Sequence, residues 1–181
     1  YRHYLGPTYY SFNYGRIHFV ALDTVDVDDL WYYGHVDDTQ LAWLERDLSH
    51  LAPDTTVVSF NHMPFFSAGP IVSGYRDGGI SPGTLITVAG RTTFRNTVSN
   101  AHDVLARLAK TRHTLALAGH NHAREKLEFE QRGRRVRFHV AAAIVGPGGG
   151  DAMPMTSGAT LYRVRRDDVD DGEFIPLPDG S

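Results

Sequence analysis

Twice along this chain a short run of β-branched and aliphatic residues stops on histidine: Thr56 to Phe60 runs into Asn61-His62-Met63-Pro64, and Thr114 to Ala118 into Gly119-His120-Asn121-His122. Runs of this length and composition are the pattern of strands buried on both faces. Pro64, which has no N–H for a sheet ladder, ends the first. Parallel strands in an α/β sheet bring their C-terminal ends together at the crevice where such sheets bind ligands. The two junctions therefore direct the chain to an α/β sheet and their histidines to one place.

The remaining elements fit around these strands. Thr8 to Phe12 and Ile17 to Leu22, separated by Asn13-Tyr14-Gly15-Arg16, predict a hairpin whose second strand ends at Asp23. From Asp38, Leu41, Leu44, Leu48 and Leu51 recur at helical spacing, with Asp37, Asp38 and Thr39 as caps and Pro53 beyond the end. Asn100 is placed to cap a second helix with Val104, Leu105 and Leu108 inward. Leu127 and Phe129, then Val136, Phe138 and Val140, form a hairpin with one apolar face, and Ala159 to Val164 a final strand. Phe65 to Thr97, rich in Gly, Pro, Ser and Thr, reads as a long loop holding at most a small hairpin around Thr84 to Val88. Gly146 to Gly150 lacks the lysine and the helix of a phosphate-cradling loop, and Asp167 to Asp171 reads as a solvated acidic turn.

Composition narrows the chemistry. With 181 residues, 41% of them hydrophobic, one core is expected. A formal charge of −3 from mixed residues provides no nucleic-acid surface. No apolar run approaches the roughly 20 residues of a membrane-spanning helix, and Tyr1-Arg2-His3-Tyr4 reads as a cut start rather than a signal peptide. The absence of cysteine removes thiolate nucleophiles, disulfides and Cys-ligated metals, leaving histidine, carboxylate and amide as metal ligands.

In extended chain His120 and His122 point to the same side, and Gly119 permits a tight turn before them. Alone, this spacing describes two exposed histidines beside a turn equally well; His62 at a second strand end is what favours a metal site. Neutral imidazole suits zinc, iron, manganese or nickel. Of the other histidines, His18 and His139 read as strand packing, and His3, His35, His50, His102 and His113 as surface or helix-end residues. Asp23 reads as structural, and Asn61 as bonding either a ligand oxygen or local backbone. Tyr75, Arg76 and Asp77 would border the crevice, where Arg76 is either an exposed loop residue or a phosphate contact; Trp31-Tyr32-Tyr33 would wall a pocket and Trp43 would pack.

Five segments occur in a recognisable order: Gly-Pro-Thr-Tyr-Tyr-Ser-Phe (6 to 12), Ile-His-Phe-Val-Ala-Leu-Asp-Thr (17 to 24), Gln-Leu-Ala-Trp-Leu-Glu-Arg-Asp-Leu (40 to 48), Asn-His-Met-Pro (61 to 64) and Gly-His-Asn-His (119 to 122). Together they resemble the calcineurin-like metallophosphoesterases, over roughly residues 5 to 145. The resemblance implies residues 1–166 as the C-terminal part of such a domain, half of an αββα two-sheet sandwich with a mixed sheet and hairpins, and 167–181 as an acidic terminal turn. It implies His62 and His120 on one metal and His122 on a second, the two ions (Mn, Zn, Fe or Ni) activating a water for hydrolysis of a phosphate ester. The family's Asp-x-His, Gly-Asp-x-x-Asp and Gly-Asn-His-Asp/Glu motifs, which supply the other ligands and the catalytic histidine, do not occur here. The expected partner is accordingly a missing N-terminal half, without which the chain is expected to be inactive. The segment from His139-Val140-Ala141 to the Gly158–Val164 strand also resembles a branch found in secreted multidomain bacterial proteins, though without that branch's tryptophans, and leans toward an extracytoplasmic setting. The rival expectation is a non-catalytic interaction domain on the same scaffold, and a third is one chain of a split enzyme.

Overall fold

β-Branched and aromatic residues build most of the secondary structure in the computed structural model, which describes residues 2–69, 75–76, 79–80, 85–131, 133–144 and 157–177. A short helix α1 (Arg2–Leu5) precedes a hairpin of β1 (Tyr10–Tyr14) and β2 (Ile17–Leu22), a second hairpin of β3 (Val25–Asp28) and β4 (Trp31–Gly34), helix α2 (Asp38–Ser49) and strand β5 (Thr56–Asn61). Small pairs β6 (Tyr75–Arg76) with β7 (Gly79–Ile80) and β8 (Leu85–Val88) with β9 (Arg91–Phe94) follow, then helix α3 (Ala101–Leu108), β10 (Arg112–Ala118), β11 (Glu125–Gln131) and β12 (Arg134–Val140). The chain closes with β13 (Gly158–Leu161), β14 (Val164–Arg165), β15 (Asp168–Val169) and β16 (Glu173–Pro176). No helix among the described residues is long and apolar enough to cross a membrane.

The main sheet has six strands in the order β1-β2-β5-β10-β12-β11. β2, β5, β10 and β12 are mutually parallel, and β1 and β11 are antiparallel edges formed by hairpin return. This is the mixed α/β sheet with hairpins that the sequence indicates. Alternation along each strand sorts the side chains: Val20, Leu22, Val57, Ala116 and Phe138 face the helices, where Leu41, Leu44 and Leu48 of α2 and Val104 and Leu108 of α3 complete the core. On the opposite face Ile17, Val58 and Leu115 pack beneath Val169 and Tyr162. Further along that face nothing among the described residues covers the aromatics: Tyr10 is 41% and Phe12 45% exposed, with Phe12 stacked on Phe19 at 5.1 Å and edge-on to Phe60. The described residues thus form one layer of sheet with helices on one side, and leave apolar surface on the other.

Polar side chains tie the layers together. Asp37 caps α2, its carboxylate accepting from Gln40 N at 2.8 Å. Buried Gln40 in turn accepts from Asp23 N and donates to Asp23 O, both at 2.8 Å, so it completes the backbone at the end of β2. Asp47 accepts from the Ser11 hydroxyl at 2.7 Å and pairs with His18 Nε2 at 2.8 Å, while His18 Nδ1 meets Asn13 at 2.8 Å. His18 is therefore a strand residue whose polar edges are satisfied, as its position suggests.

Four expectations change. Asn100 stands at the N-cap of α3 but makes no capping bond; its amide instead holds Val36, accepting from Val36 N and donating to Val36 O. His113 is not at the surface: β10 begins at Arg112, two residues earlier than the apolar run suggests, which buries the ring and bonds it to Ser59 Oγ at 3.0 Å. Ala159 to Val164 is not a single final strand, since β13 ends at Leu161 and three short strands follow. The acidic segment from Asp167 is more than a solvated turn: Asp167, Asp168 and Asp171 are exposed, but Val169 inserts into the sheet face while Arg137 bonds Asp171 Oδ1 at 2.7 Å and Val169 O at 2.8 Å. The acidic residues meet arginines of the sheet, and one valine anchors them.

Two predictions follow from this packing. A Cβ at Gly34 would stand 2.2 Å from Thr97 O and 2.5 Å from Thr97 C, backbone atoms that cannot swing away. Gly34→Ala should therefore cost about 2–3 kcal/mol, the scale of a forced overpacking, read as a lower urea midpoint. Burial holds the His113 imidazole down to about 4, against a partly offsetting backbone bond at Leu115 and an ordinary value of 6.5. Above 6.5 both folded and unfolded chains leave this ring neutral; between 6.5 and 4 only the unfolded chain takes the proton, so stability falls with pH across that window, by up to about 3 kcal/mol. Urea unfolding at pH 7.5 and 5.0 should show the loss, and His113→Gln should reduce it, His120 and His139 contributing the rest in the same sense; parallel slopes would contradict the assignment.

Candidate functional site

Parallel pairing places the two histidine junctions side by side. β5 and β10 run in register with Phe60 opposite Leu117, and two residues beyond that pair Gly119 N donates to His62 O at 3.0 Å. His62 and His120 consequently meet at the same edge, His62 Nε2 lying 3.1 Å from His120 Nδ1, with ring centroids 4.9 Å apart at 74°. On the far side of the ring His120 Nε2 stands 3.2 Å from Asn96 Oδ1. Because that oxygen only accepts, neutral His120 carries its hydrogen on Nε2 and turns the Nδ1 lone pair toward His62. Two nitrogens on one tetrahedral zinc stand about 3.3 Å apart, from Zn–N bonds near 2.0–2.1 Å. The facing pair has that span.

His122 is placed differently. β10 ends at Ala118, and both His120 (φ 68) and His122 (φ 58) adopt the left-handed region rather than extended chain. The expectation that alternation in a strand would align them does not apply to a turn. No hydrogen bond or ring contact joins His122 to the pair, although it lies near enough to act on His120 electrostatically. Among the described residues no three His, Asp or Glu side chains gather as a metal-holding group. Two side chains at positive φ on either side of Asn121 carry a conformational cost of order 1–3 kcal/mol each, and such strain gathers at functional sites.

The surroundings keep His120 neutral. Its basicity is depressed to about 4, first by burial and then by His62, His122 and Arg95. Tyr32 approaches it edge-on, with ring centroids 5.8 Å apart. Arg95 lies across Tyr32 and Trp31, 4.3 and 4.7 Å from their ring centroids. Tyr32 thus lies beside His120 with Trp31 beyond it across Arg95, whereas Tyr33 is buried and gives its hydroxyl to Asp26. The side chains of Tyr75, Arg76 and Asp77 lie outside the described residues, as does the Gly146–Gly150 connector.

Beside His62 a depression of about 540 Å³ opens on the uncovered sheet face, floored by Ala21, Phe60 and Leu117 and bordered by Asp23 and Asn61. Asn61 donates to Met63 O, but its Oδ1 is buried without a partner. A buried carbonyl oxygen in this state costs roughly 1–3 kcal/mol. Asp23 has the structural role foreseen, its backbone held by Gln40. The loop after His62 is pinned from β11: Glu125 accepts from Ser67 Oγ and Ala68 N, each at 2.6 Å, and from Gly69 N at 3.1 Å, while Asn121 Nδ2 donates to Ser67 Oγ. Sequence reasoning missed Asn96, Arg95 and Glu125, since each sits in a loop or at a strand start without a periodic signal; only the excess length of the loop pointed to them.

The fold has a counterpart among known enzymes. The chain aligns with the crystal structure of a dimetal phosphatase from Danio rerio at a TM-score of 0.54 and 15% sequence identity, over 93% of this chain and 59% of that one. It is a shared fold. At this identity the likeness establishes architecture, and the chain spans 59% of that phosphatase's length. No protein-family model matches the sequence, and no curated protein matches it.

The Asn96 contact makes a prediction that needs no metal. Nitrogen-detected imidazole spectra should show His120 protonated at Nε2, and Asn96→Leu, which removes the acceptor, should shift the population toward the Nδ1 tautomer; an unchanged pattern would mean that Asn96 does not set it.

Proposed function

We propose that this chain carries the histidine side of the metal site of a calcineurin-like phosphoesterase, a hydrolase of phosphate mono- or diesters. The observation that carries this reading is the pair of facing nitrogens, His62 Nε2 and His120 Nδ1, 3.1 Å apart at adjacent ends of parallel strands. His120 Nδ1 accepts from His62 Nε2, and once His62 moves that hydrogen to its other ring nitrogen the two imidazoles form a donor set suited to zinc, iron, manganese or nickel. The motif order and the fold shared with a dimetal phosphatase support the same reading.

In this reading His62 and His120 hold one ion and His122, after adjusting its turn, a second. When bound, such a pair of cations supplies Lewis acidity, making a water nucleophilic near neutral pH and offsetting charge on the phosphoryl oxygens. The chain's own contributions are positional. Asn96 fixes the His120 tautomer so that Nδ1 keeps its lone pair. Gly119 locks the two strand ends together, Glu125 holds the loop after His62, and the unpaired Asn61 Oδ1 offers an acceptor to whatever enters beside His62. The remaining ligands and the acid for the leaving group come from a complementary segment seated on the exposed aromatic face of Tyr10, Phe12 and Phe60.

One observation favours a second reading, a non-catalytic module on this scaffold: the described residues gather only two of the three histidines. Metal content of the intact protein separates the two, about two ions per chain being expected for the enzyme and none for the module. Residues 1–181 alone should not turn over p-nitrophenyl phosphate or its diester. The intact protein should, losing activity to chelator and regaining it with Mn²⁺ or Zn²⁺. His62→Ala and His120→Ala should each abolish it, and Asn96→Ala should lower metal affinity by about 10- to 100-fold. Turnover by 1–181 that His120→Ala removes would overturn the need for a second segment.

A further inference from the structure

The β3–β4 hairpin stands apart from the main sheet as its own two-stranded unit. At its tip Asp29 takes the left-handed region (φ 53), Leu30 is 88% exposed and Trp31 57% exposed. A single exposed apolar side chain is ordinary, but Leu30, Trp31 and Tyr32 (42% exposed) lie consecutively and form one open apolar surface. The Trp31 ring on it is held. The Arg95 guanidinium lies 4.7 Å from the centroid of Trp31 and 4.3 Å from that of Tyr32, and its Nε donates to Tyr32 O at 3.3 Å. Arg95 has no carboxylate at ion-pair distance among the described residues, so its charge is free to act on something else. The same assembly reaches the histidines: Tyr32 meets His120 edge-on, and Asn96, next to Arg95, holds His120 Nε2.

A rigid aromatic surface left open beside a cation is suited to stacking: large contact area, little side-chain entropy left to lose, and a positive charge close by for an anionic substituent. We propose that Trp31 sets the substrate class of this site by stacking on a planar aromatic group of the phosphoester, with Arg95 a positioning residue that fixes the ring from its other side. The anionic end of that ligand rests on the phosphoesterase reading; the stacking does not. An aryl group and a nucleobase share this chemistry, and the experiment separates them.

Residues 1–181 contain two tryptophans, so in a Trp43→Phe background Trp31 is the one reporter among them, and the signal lost on Trp31→Ala isolates it. Phenyl phosphate, adenosine monophosphate and butyl phosphate are titrated against the fluorescence of the intact protein, and kcat/KM is measured for all three. Phenyl phosphate, the nucleotide, or both should quench Trp31 and bind about 10-fold or more tightly than butyl phosphate, the usual scale for one stacked ring. Quenching by the nucleotide alone would identify a base, and by phenyl phosphate an aryl group. Trp31→Ala should lower the kcat/KM of whichever ligand stacks, relative to butyl phosphate, by a similar factor, Trp31→Phe should restore most of it, and Arg95→Ala should weaken the quench. Phenyl-to-butyl and nucleotide-to-butyl ratios both indifferent to Trp31→Ala, or equal quenching by all three ligands, overturn the proposal while leaving hydrolysis intact. Aromatic-selective quenching without metal-dependent turnover would instead uphold the stacking and remove the phosphoesterase reading.

Discussion

The hydrogen bond from Gly119 N to His62 O closes the last rung between β5 and β10, and the candidate site depends on it. Parallel strands without this rung would still pack, but their ends would fray independently, and two imidazoles on separate frayed ends would not keep ring nitrogens facing at 3.1 Å. The sheet supplies what a loop could not: a rigid relation between two donors from residues 58 positions apart in the chain. Everything else around the histidines orients, dries or insulates this pair.

Insulation has an electrostatic side. A metal ligand must keep its imidazole neutral, and burial lowers His120 basicity for the same reason it lowers that of His113 and His139, since charge is costly to desolvate. His113 and His139 spend their polar atoms on Ser59 and Tyr162, whereas the open nitrogen of His120 faces another histidine. Equal depression by burial therefore has different meanings, and the hydrogen-bond partner distinguishes a packed histidine from a poised one.

The fold was legible because its signals were periodic. Apolar runs at Thr56 to Phe60 and Thr114 to Ala118 marked the central strands, and the leucine spacing from Leu41 to Leu48 marked α2, all within a residue or two of the observed ends. At the candidate site the sequence indicated that His62 and His120 meet, because their strand ends could be read. His122 was named with them, but its alignment with His120 does not hold, because the chain leaves the strand before it and left-handed residues obey no alternation. Asn96, Arg95 and Glu125 escaped because tertiary contact alone gives them meaning. The acidic tail misled because charge outnumbered the single apolar residue, Val169, that decides where it goes.

Gly34 gives these parts a mechanical relation. Its missing side chain lets β4 lie directly on Thr97 and Val98, with Ser99 N donating to Gly34 O. Arg95 and Asn96 enter that contact from one side and Trp31 and Tyr32 leave it from the other, so the wall that would read the ligand and the arm that orients His120 are bolted to a common pivot. Any motion admitting a bulkier ligand must then also pull on the histidine, and selectivity and metal retention on this scaffold would have to evolve together.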